Sequence, residues 1–379
     1  MGAPNALPDP ERIALVSPSP GTERSLALWR FGRRGARPKA YLQAALHADE
    51  LPGVLVLRLL AERLAAADAA GEVRGEVVVV PVANPIGLAQ YVLGRSLGRH
   101  ALAGGNFNRG YPDLAAGAAE RLAGRLGADP AANVVAVRTA LGAALAAWRP
   151  LDEADRLRHT LLALAVDADI ALDLHCDAEA VLHLYTGTPL WPGAADLSAE
   201  LGSRATLLAE RSGGHPFDEA LSGPWWALAA RFPEHPIPPA CLAATVELRG
   251  ERDLGRAEAL ADAEALVRFL RRRGVLAGDP GPLPAPRCEA TPLAGVDMVR
   301  APRAGLVLFE VEPGQQVAEG ERLGELLDPL GGRSELRART AGVLFARAGE
   351  RLARPGQVLA KVAGREPLPG REAGALLED

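Results

Sequence analysis

The stretch YLQAALHADELPGVLVLRLLAERLAAADAAGEVRGEVVVVPVANPIG, residues 41–87, decides the fold. Residues 41–46 are an apolar, β-like run that leads into His47. Residues 52–70 open on Pro52, tolerated in a first helical turn because its missing N–H has no intrahelical partner there, and stop at Gly71. Within them Val54, Leu57, Leu60, Ala61 and Leu64 fall on one stripe. Residues 76–83 (EVVVVPVA) are apolar on both faces and stop at Asn84-Pro85, as a strand covered from both sides does.

The pattern repeats outward. Residues 170–174 lead into His175, and residues 241–246 lead into Glu247. Residues 155–166 and 256–273 read as helices, the latter ending at Gly274, and the Ala-rich stretch 114–148 reads as a helical insertion. The expected class is therefore α/β: a mixed, largely parallel sheet covered by helices.

A chain of 379 residues is long for one core and suits two domains. The Pro- and Gly-rich segment GDPGPLPAP (278–286) marks the boundary, giving an expected catalytic domain over 1–285 and a β-rich domain over 286–379. The second half repeats internally: residues 300–326 and 337–362 pair Gly305 with Gly342, Gly314 with Gly349, Val317 with Leu352, Gly320 with Gly356, and Leu323 with Leu359. This resembles the lipoyl/biotinyl-type barrel-sandwich. Carriers of that type bear their modified lysine at the turn between the halves, but here the turn is DPLGGRSE (328–335), without lysine, which argues against a carrier.

Composition narrows the partners. The apolar fraction is 48%, the charged fraction 23% and the net charge −5, and no basic cluster of the kind a nucleic-acid backbone requires is present. No apolar run approaches the ~20 residues of a membrane span, so neither nucleic acid nor membrane is expected as a partner. Cys176, Cys241 and Cys288 are widely spaced and odd in number, which fits a reducing compartment, and the expected localisation is cytoplasmic. A homo-oligomer is compatible with the sequence but not required by it.

His47, His175 and Glu247 all stand where apolar strands stop, and ligands of open α/β sheets bind at such ends. Each residue alone is ordinarily structural; together they are a candidate site. His47-Ala-Asp-Glu50 puts an imidazole and a carboxylate three residues apart at a strand-to-helix junction, and His175 can supply a third ligand. Two His and one Glu leave a fourth position of Zn2+ open to water, the catalytic arrangement. Bound zinc lowers the pKa of that water to ~7, so hydrolysis by metal-bound hydroxide is the expected chemistry, with Glu247 as candidate base.

At these residues the sequence resembles the succinylglutamate desuccinylase/aspartoacylase family, whose fold is zinc carboxypeptidase-like. The family order of H-x-x-E, N-P-x-G, N-R, D-L-H and a late Glu is met by His47/Glu50, Asn84-Pro85-Ile86-Gly87, Asn108-Arg109, Asp173-Leu174-His175 and Glu247. The resemblance implies that Asn108 and Arg109 grip a substrate carboxylate and that an upstream arginine, Arg99 or else Arg95, polarises the scissile carbonyl. Two departures stand out. The acid usual two residues before N-R is Asn106 here, and no tyrosine follows Tyr185.

Other residues have plainer readings. Cys176 should point away from His175, His183 reads as core, and His215 and His235 precede prolines in loops. Trp225-Trp226 reads as core first and pocket wall second. The expected activity is zinc-dependent hydrolysis of the amide bond of an N-acyl amino acid or similar small amide bearing a carboxylate. The alternatives are a metallocarboxypeptidase acting on peptides and a non-catalytic small-molecule binding protein.

Overall fold

The computed structural model describes residues 7–102 and 104–377. The chain opens with β1 (Glu11–Leu15), β2 (Arg24–Gly32), β3 (Lys39–Ala44), α1 (Pro52–Ala69) and β4 (Glu76–Val80). A short helix α2 (Pro85–Leu88) and the ribbon β5 (Tyr91–Val92) with β6 (Arg95–Ser96) precede α3 (Ala115–Leu122), α4 (Pro130–Ala147) and α5 (Glu153–Ala165). Then follow β7 (Ile170–Asp177), β8 (Glu179–Ala180), β9 (His183–Thr186), α6 (Ala195–Leu201), β10 (Ala205–Leu208) and α7 (Phe217–Arg231). This part ends with β11 (Leu242–Gly250), α8 (Arg256–Arg272) and β12 (Ala290–Pro292).

Nine of these strands form one sheet in the order β1-β2-β4-β3-β7-β11-β9-β10-β12. Its centre, β4-β3-β7-β11, is parallel, and β9 returns antiparallel against β11. Every residue of β3 and β4 is buried, which is why both read as continuous runs rather than alternating ones. α1 packs against both the sheet and α8, so Val56 and Leu59 are buried beside the expected stripe, while Val54 is only half-buried. The Ala-rich stretch is two helices rather than one: α3 and α4 pack together on the opposite face, with Ala118, Leu122, Val137 and Leu141 in the core. By length and hydropathy α4 could cross a membrane; here Asn133, Val137, Ala140, Leu141, Ala144 and Leu145 are buried inside the fold.

The chain adds β12 to the edge of the large sheet before entering its β-rich part: β13 (Val296–Arg300), β14 (Gly305–Phe309), β15 (Gln316–Val317), β16 (Arg322–Leu327), β17 (Arg333–Arg337), β18 (Gly342–Arg347), β19 (Leu352–Ala353) and β20 (Val358–Gly364). These make two sheets, β13-β20-β18-β15 and β17-β16-β14-β19. Exchanging β13 with β17, β20 with β16, β18 with β14 and β15 with β19 converts one order into the other. The glycine repeat is thus a repeat of strands, and each sheet covers the other's apolar face through Val307, Leu323, Leu326, Leu344, Leu359 and Val362. Lys361 lies in β20, ion-paired with Asp177, away from the β16–β17 hairpin.

This β-rich part is fastened beside the large sheet. β8 adds to β18 with Arg347 opposite Glu179, and the Glu179 carboxylate accepts from both Arg347 Nε (2.6 Å) and Arg351 Nη2 (2.7 Å). Near its end the chain returns, and Leu376 N–H donates to Ser212 O at 2.7 Å.

Candidate active site

β3 ends at Ala44, and Ala45 adopts a left-handed φ of 54°, which turns the chain out of the sheet just before His47. Asn84 braces this turn. Its N–H donates to Ala45 O (3.2 Å) and its Nδ2 to Leu46 O (2.8 Å), while its Oδ1 accepts from Gly87 N–H (2.7 Å) as the cap of α2. A Cβ on Gly87 would fall 2.7 Å from the Gly98 carbonyl oxygen, the same oxygen that accepts from Ala48 N–H (3.1 Å). The Asn84-Pro85-Ile86-Gly87 motif therefore holds the turn that aims His47. Glu50 follows within one tight turn, its N–H donating to His47 O at 3.1 Å. α1 can begin against the sheet because Gly53 has no side chain: a Cβ there would sit 2.9 Å from the Cβ atoms of Ala44 and Leu174.

His175 and Glu247 come from adjacent parallel strands and face each other in register, with Asp173 opposite Thr245 two residues earlier. Neither residue ends its strand, contrary to the expectation from the sequence. β7 continues to Asp177 and β11 to Gly250, because β11 still has partners on both sides, with His183 of β9 opposite Glu247. The register slips only after Glu247, where Arg249 takes a φ of 63°. The change from apolar to charged residues marked a change of chemistry, not the end of pairing.

Ligand atoms of His47, Glu50 and His175 lie within 4.8 Å of one another, and all three residues are buried. Glu50 Oε1 is 3.0 Å from His47 Nδ1, and Oε2 is 2.7 Å from His175 Nδ1. The outer nitrogens are held separately. His47 Nε2 is 2.8 Å from Asn106 Oδ1, an oxygen that also accepts from Asn108 N–H (2.8 Å), so the amide orientation is set and Nε2 is the donor. His175 Nε2 lies 2.9 Å from Asp173 Oδ2, an ion-pair distance without the alignment of a hydrogen bond. Burial lowers the His47 pKa against the pull of Glu50, and with Nε2 turned to Asn106 its Nδ1 faces the Glu50 carboxylate. Burial opposes ionisation of Glu50, but His47 and His175 hold its carboxyl well below the usual range. Burial also works against a charge on His175, yet Asp173 and Glu50 hold its imidazole well above the ordinary value. Two imidazole nitrogens and a carboxylate converging on one point are a donor set that suits a divalent cation, which would take the place of the proton between His175 Nδ1 and Glu50.

Glu247 is partly exposed, but its Oε2 is shut from solvent and has no hydrogen-bond partner among the described residues. Burial first, then the charges of Glu50 and Asp177, push its carboxyl up to about 8 against the pull of His175 and Lys361. The side chain opens onto a cavity of about 710 Å³ that His47, Arg99, Asn108, Arg109, His175 and Glu247 line together. Arg99 donates Nη2 to Glu50 Oε1 at 2.8 Å, whereas Arg95 lies exposed on β6, outside that lining. Asn108 Oδ1 is committed to Phe217 N–H (2.9 Å), leaving Nδ2 beside His175 Nε2 at 3.4 Å. Arg109 donates Nη1 to Asn108 O at 2.8 Å.

Cys176 also borders the cavity; its N–H donates to Glu50 Oε2 at 3.2 Å, and burial pushes its thiol far up, which removes it as a nucleophile. His183 is fully buried, donates Nδ1–H to Val181 O (2.8 Å) and is pushed down to about 4 by burial. Trp225 is core, and Trp226 packs against Gly187; neither lines the cavity. Sequence reasoning missed Asp173 as the partner of His175, and Thr245, Tyr185 and Met298 as lining. Asp173 could have been read from the period of two, which puts it on the same face as His175.

The sequence model of the succinylglutamate desuccinylase/aspartoacylase catalytic domain matches residues 36–137. A structure of a succinylglutamate desuccinylase/aspartoacylase family protein from Shewanella amazonensis is 29% identical, with 94% of this chain and 98% of that one covered and a TM-score of 0.83. A second, from Shewanella frigidimarina, is 25% identical over 94% and 96%, with a TM-score of 0.82. The product-bound ectoine utilization protein EutE (DoeB) from Ruegeria pomeroyi shares the fold at 20% identity, over 96% and 98%, with a TM-score of 0.66. No curated protein matches the chain. The fold and the convergent His-Glu-His cluster are thus found in a chain similar to a family of hydrolases. Its residues 36–137 match the catalytic-domain model of the succinylglutamate desuccinylase/aspartoacylase family, and over nearly its whole length it is similar to structures of that family.

Proposed function

We propose that this protein is a zinc-dependent, cytoplasmic deacylase that hydrolyses the amide bond of an N-acyl amino acid or a similar small amide carrying a carboxylate. The observation that carries the reading is the cluster of His47, Glu50 and His175 beside a carboxylate, Glu247, whose Oε2 has no hydrogen-bond partner among the described residues, with His47, His175 and Glu247 lining one cavity. Held by those three residues, a zinc ion would supply a Lewis acid and lower the pKa of water in the cavity.

The chain's own groups do the rest. Asn106 and Asp173 hold the outer nitrogens of the two imidazoles, so that both Nδ1 atoms face inward. Glu247 takes the proton of the attacking water and returns it to the leaving amine, which a carboxyl raised above its ordinary range does readily. Arg99, already drawn to the cluster by Glu50, is placed to stabilise negative charge growing on the scissile carbonyl oxygen. Arg109 offers its guanidinium to the substrate carboxylate, with the Asn108 amide as scaffold beside it. A wall from the β-rich part, including Met298 and residues 357–361, roofs the cavity and favours small substrates over peptides.

Arg109→Ala tests the anchoring. Its kcat/KM should fall about 100-fold for substrates with a free carboxylate and far less for the same substrates amidated, since only the former lose a charge-assisted pair. Equal losses for both would make the arginine structural.

A further inference from the structure

The cavity is larger than the cluster and a small polar amide need. Strand register shows how its lining runs on from the cluster into an apolar group in which Tyr185 and Val358 pack against Leu207, Leu293 and Met298. Asp173 on β7 is opposite Thr245 on β11, Thr245 is opposite Tyr185 on β9, and Tyr185 is opposite Leu207 on β10. Paired residues project from the same face of a sheet, and Asp173 shares that face with His175 two residues on. The wall that carries the cluster therefore continues across three further strands, about 14 Å at the usual spacing, and turns apolar as it goes. Leu293, Met298 and Val358 close it from the other side.

The charged groups of that closing wall are engaged elsewhere. Lys361 pairs with Asp177, Arg347 pairs with Glu179 and Glu312, and Arg300, exposed, donates to Gly356 O at 2.8 Å. Arg371 reaches this end from the neighbouring cleft, donating Nη2 to Leu293 O at 3.3 Å, while Tyr185, Leu207, Leu293, Met298 and Val358 themselves are aliphatic with one phenol ring.

We propose that the space bounded by Tyr185, Leu207, Leu293, Met298 and Val358 is a subsite for a large apolar substituent, so that the preferred substrates are N-acyl amino acids with a long aliphatic or aromatic group on one side of the scissile amide. The proposal rests on the deacylase reading and deepens it. Burial of one methylene is worth a factor of about three to four, so extending an acyl chain from acetyl to octanoyl should raise kcat/KM at least about 100-fold while the subsite fills.

The experiment uses the full-length, zinc-loaded protein and two series: acyl chains from acetyl to decanoyl on one amino acid, and acetyl on glycine, leucine and phenylalanine. Binding is measured by calorimetry and turnover by amine release. The two series tell an acyl subsite from one for the amino-acid side chain. A gain of about 100-fold along either series supports the subsite. Met298→Gln and the space-filling Val358→Trp should each cut the long-to-short ratio at least about tenfold; two variants guard against one that misfolds. Long ligands that bind tightly without being cleaved would keep the subsite and overturn the deacylase reading. Hydrolysis indifferent to length in both series would keep the deacylase and overturn the subsite, and weak binding without preference or turnover would overturn both.

Discussion

Replacing Glu247 by Gln should leave the fold and the metal content intact and lower kcat by about 10²- to 10⁴-fold, the usual contribution of a general acid–base group. The substitution keeps shape and hydrogen-bonding capacity, so a loss isolates basicity. Packing is little disturbed, because Glu247 Oε2 has no hydrogen bond to break among the described residues. Substrate binding should change little, so the effect should fall on kcat rather than KM. The pH profile sharpens the test. Glu247 must be ionised to act, and burial with the Glu50 and Asp177 charges raises its pKa, so wild-type turnover should rise with pH through that ionisation. A bound cation would move the rise to lower pH by favouring the carboxylate. In Glu247→Gln that rising limb should vanish. Near-normal turnover with metal retained would place the base elsewhere, and loss of metal would make Glu247 a ligand.

The second large effect is on the metal. His175→Ala and His47→Ala each remove one of the inward-facing Nδ1 atoms and leave Glu50 with a single imidazole and Arg99. Zinc measured after gel filtration should drop from about one per chain to below about a tenth, and activity with it. Asn106→Ala is the graded comparison. It keeps all three ligands but removes the oxygen that accepts from His47 Nε2–H and from Asn108 N–H, and should weaken zinc about 10- to 100-fold, the usual effect of losing an outer partner. Full occupancy in both histidine variants would mean that the ion, if any, is held by other residues.

Much of this site was legible because its residues sit at chain positions with few alternatives. His47 and Glu50 fall on a strand-to-helix junction, and the all-buried runs of β3 and β4 with the largely buried β7 and β11 announce the parallel centre of the sheet. The repeat around Gly305 and Gly342 was legible because a symmetric sandwich demands the same turns twice. What pairing decides was not legible. Nothing local to HCD or ELRG tells that β7 and β11 run on past the charged residues, since that depends on β9 returning beside them. The split of the Ala-rich stretch at residues 123–129 escaped a reading based on helix propensity, although Asp129-Pro130 is a sound helix start. The apolar end of the cavity joins residues from β9, β10 and β13, remote in sequence, and no motif records it.

The most direct test of metal-dependent deacylation is reconstitution. Protein stripped with a chelator and desalted should release no amine from an N-acyl amino acid; one equivalent of Zn2+ should restore turnover, with activity rising linearly to a break at one metal per chain. Turnover by the stripped protein equal to that of the reconstituted one would contradict the central claim.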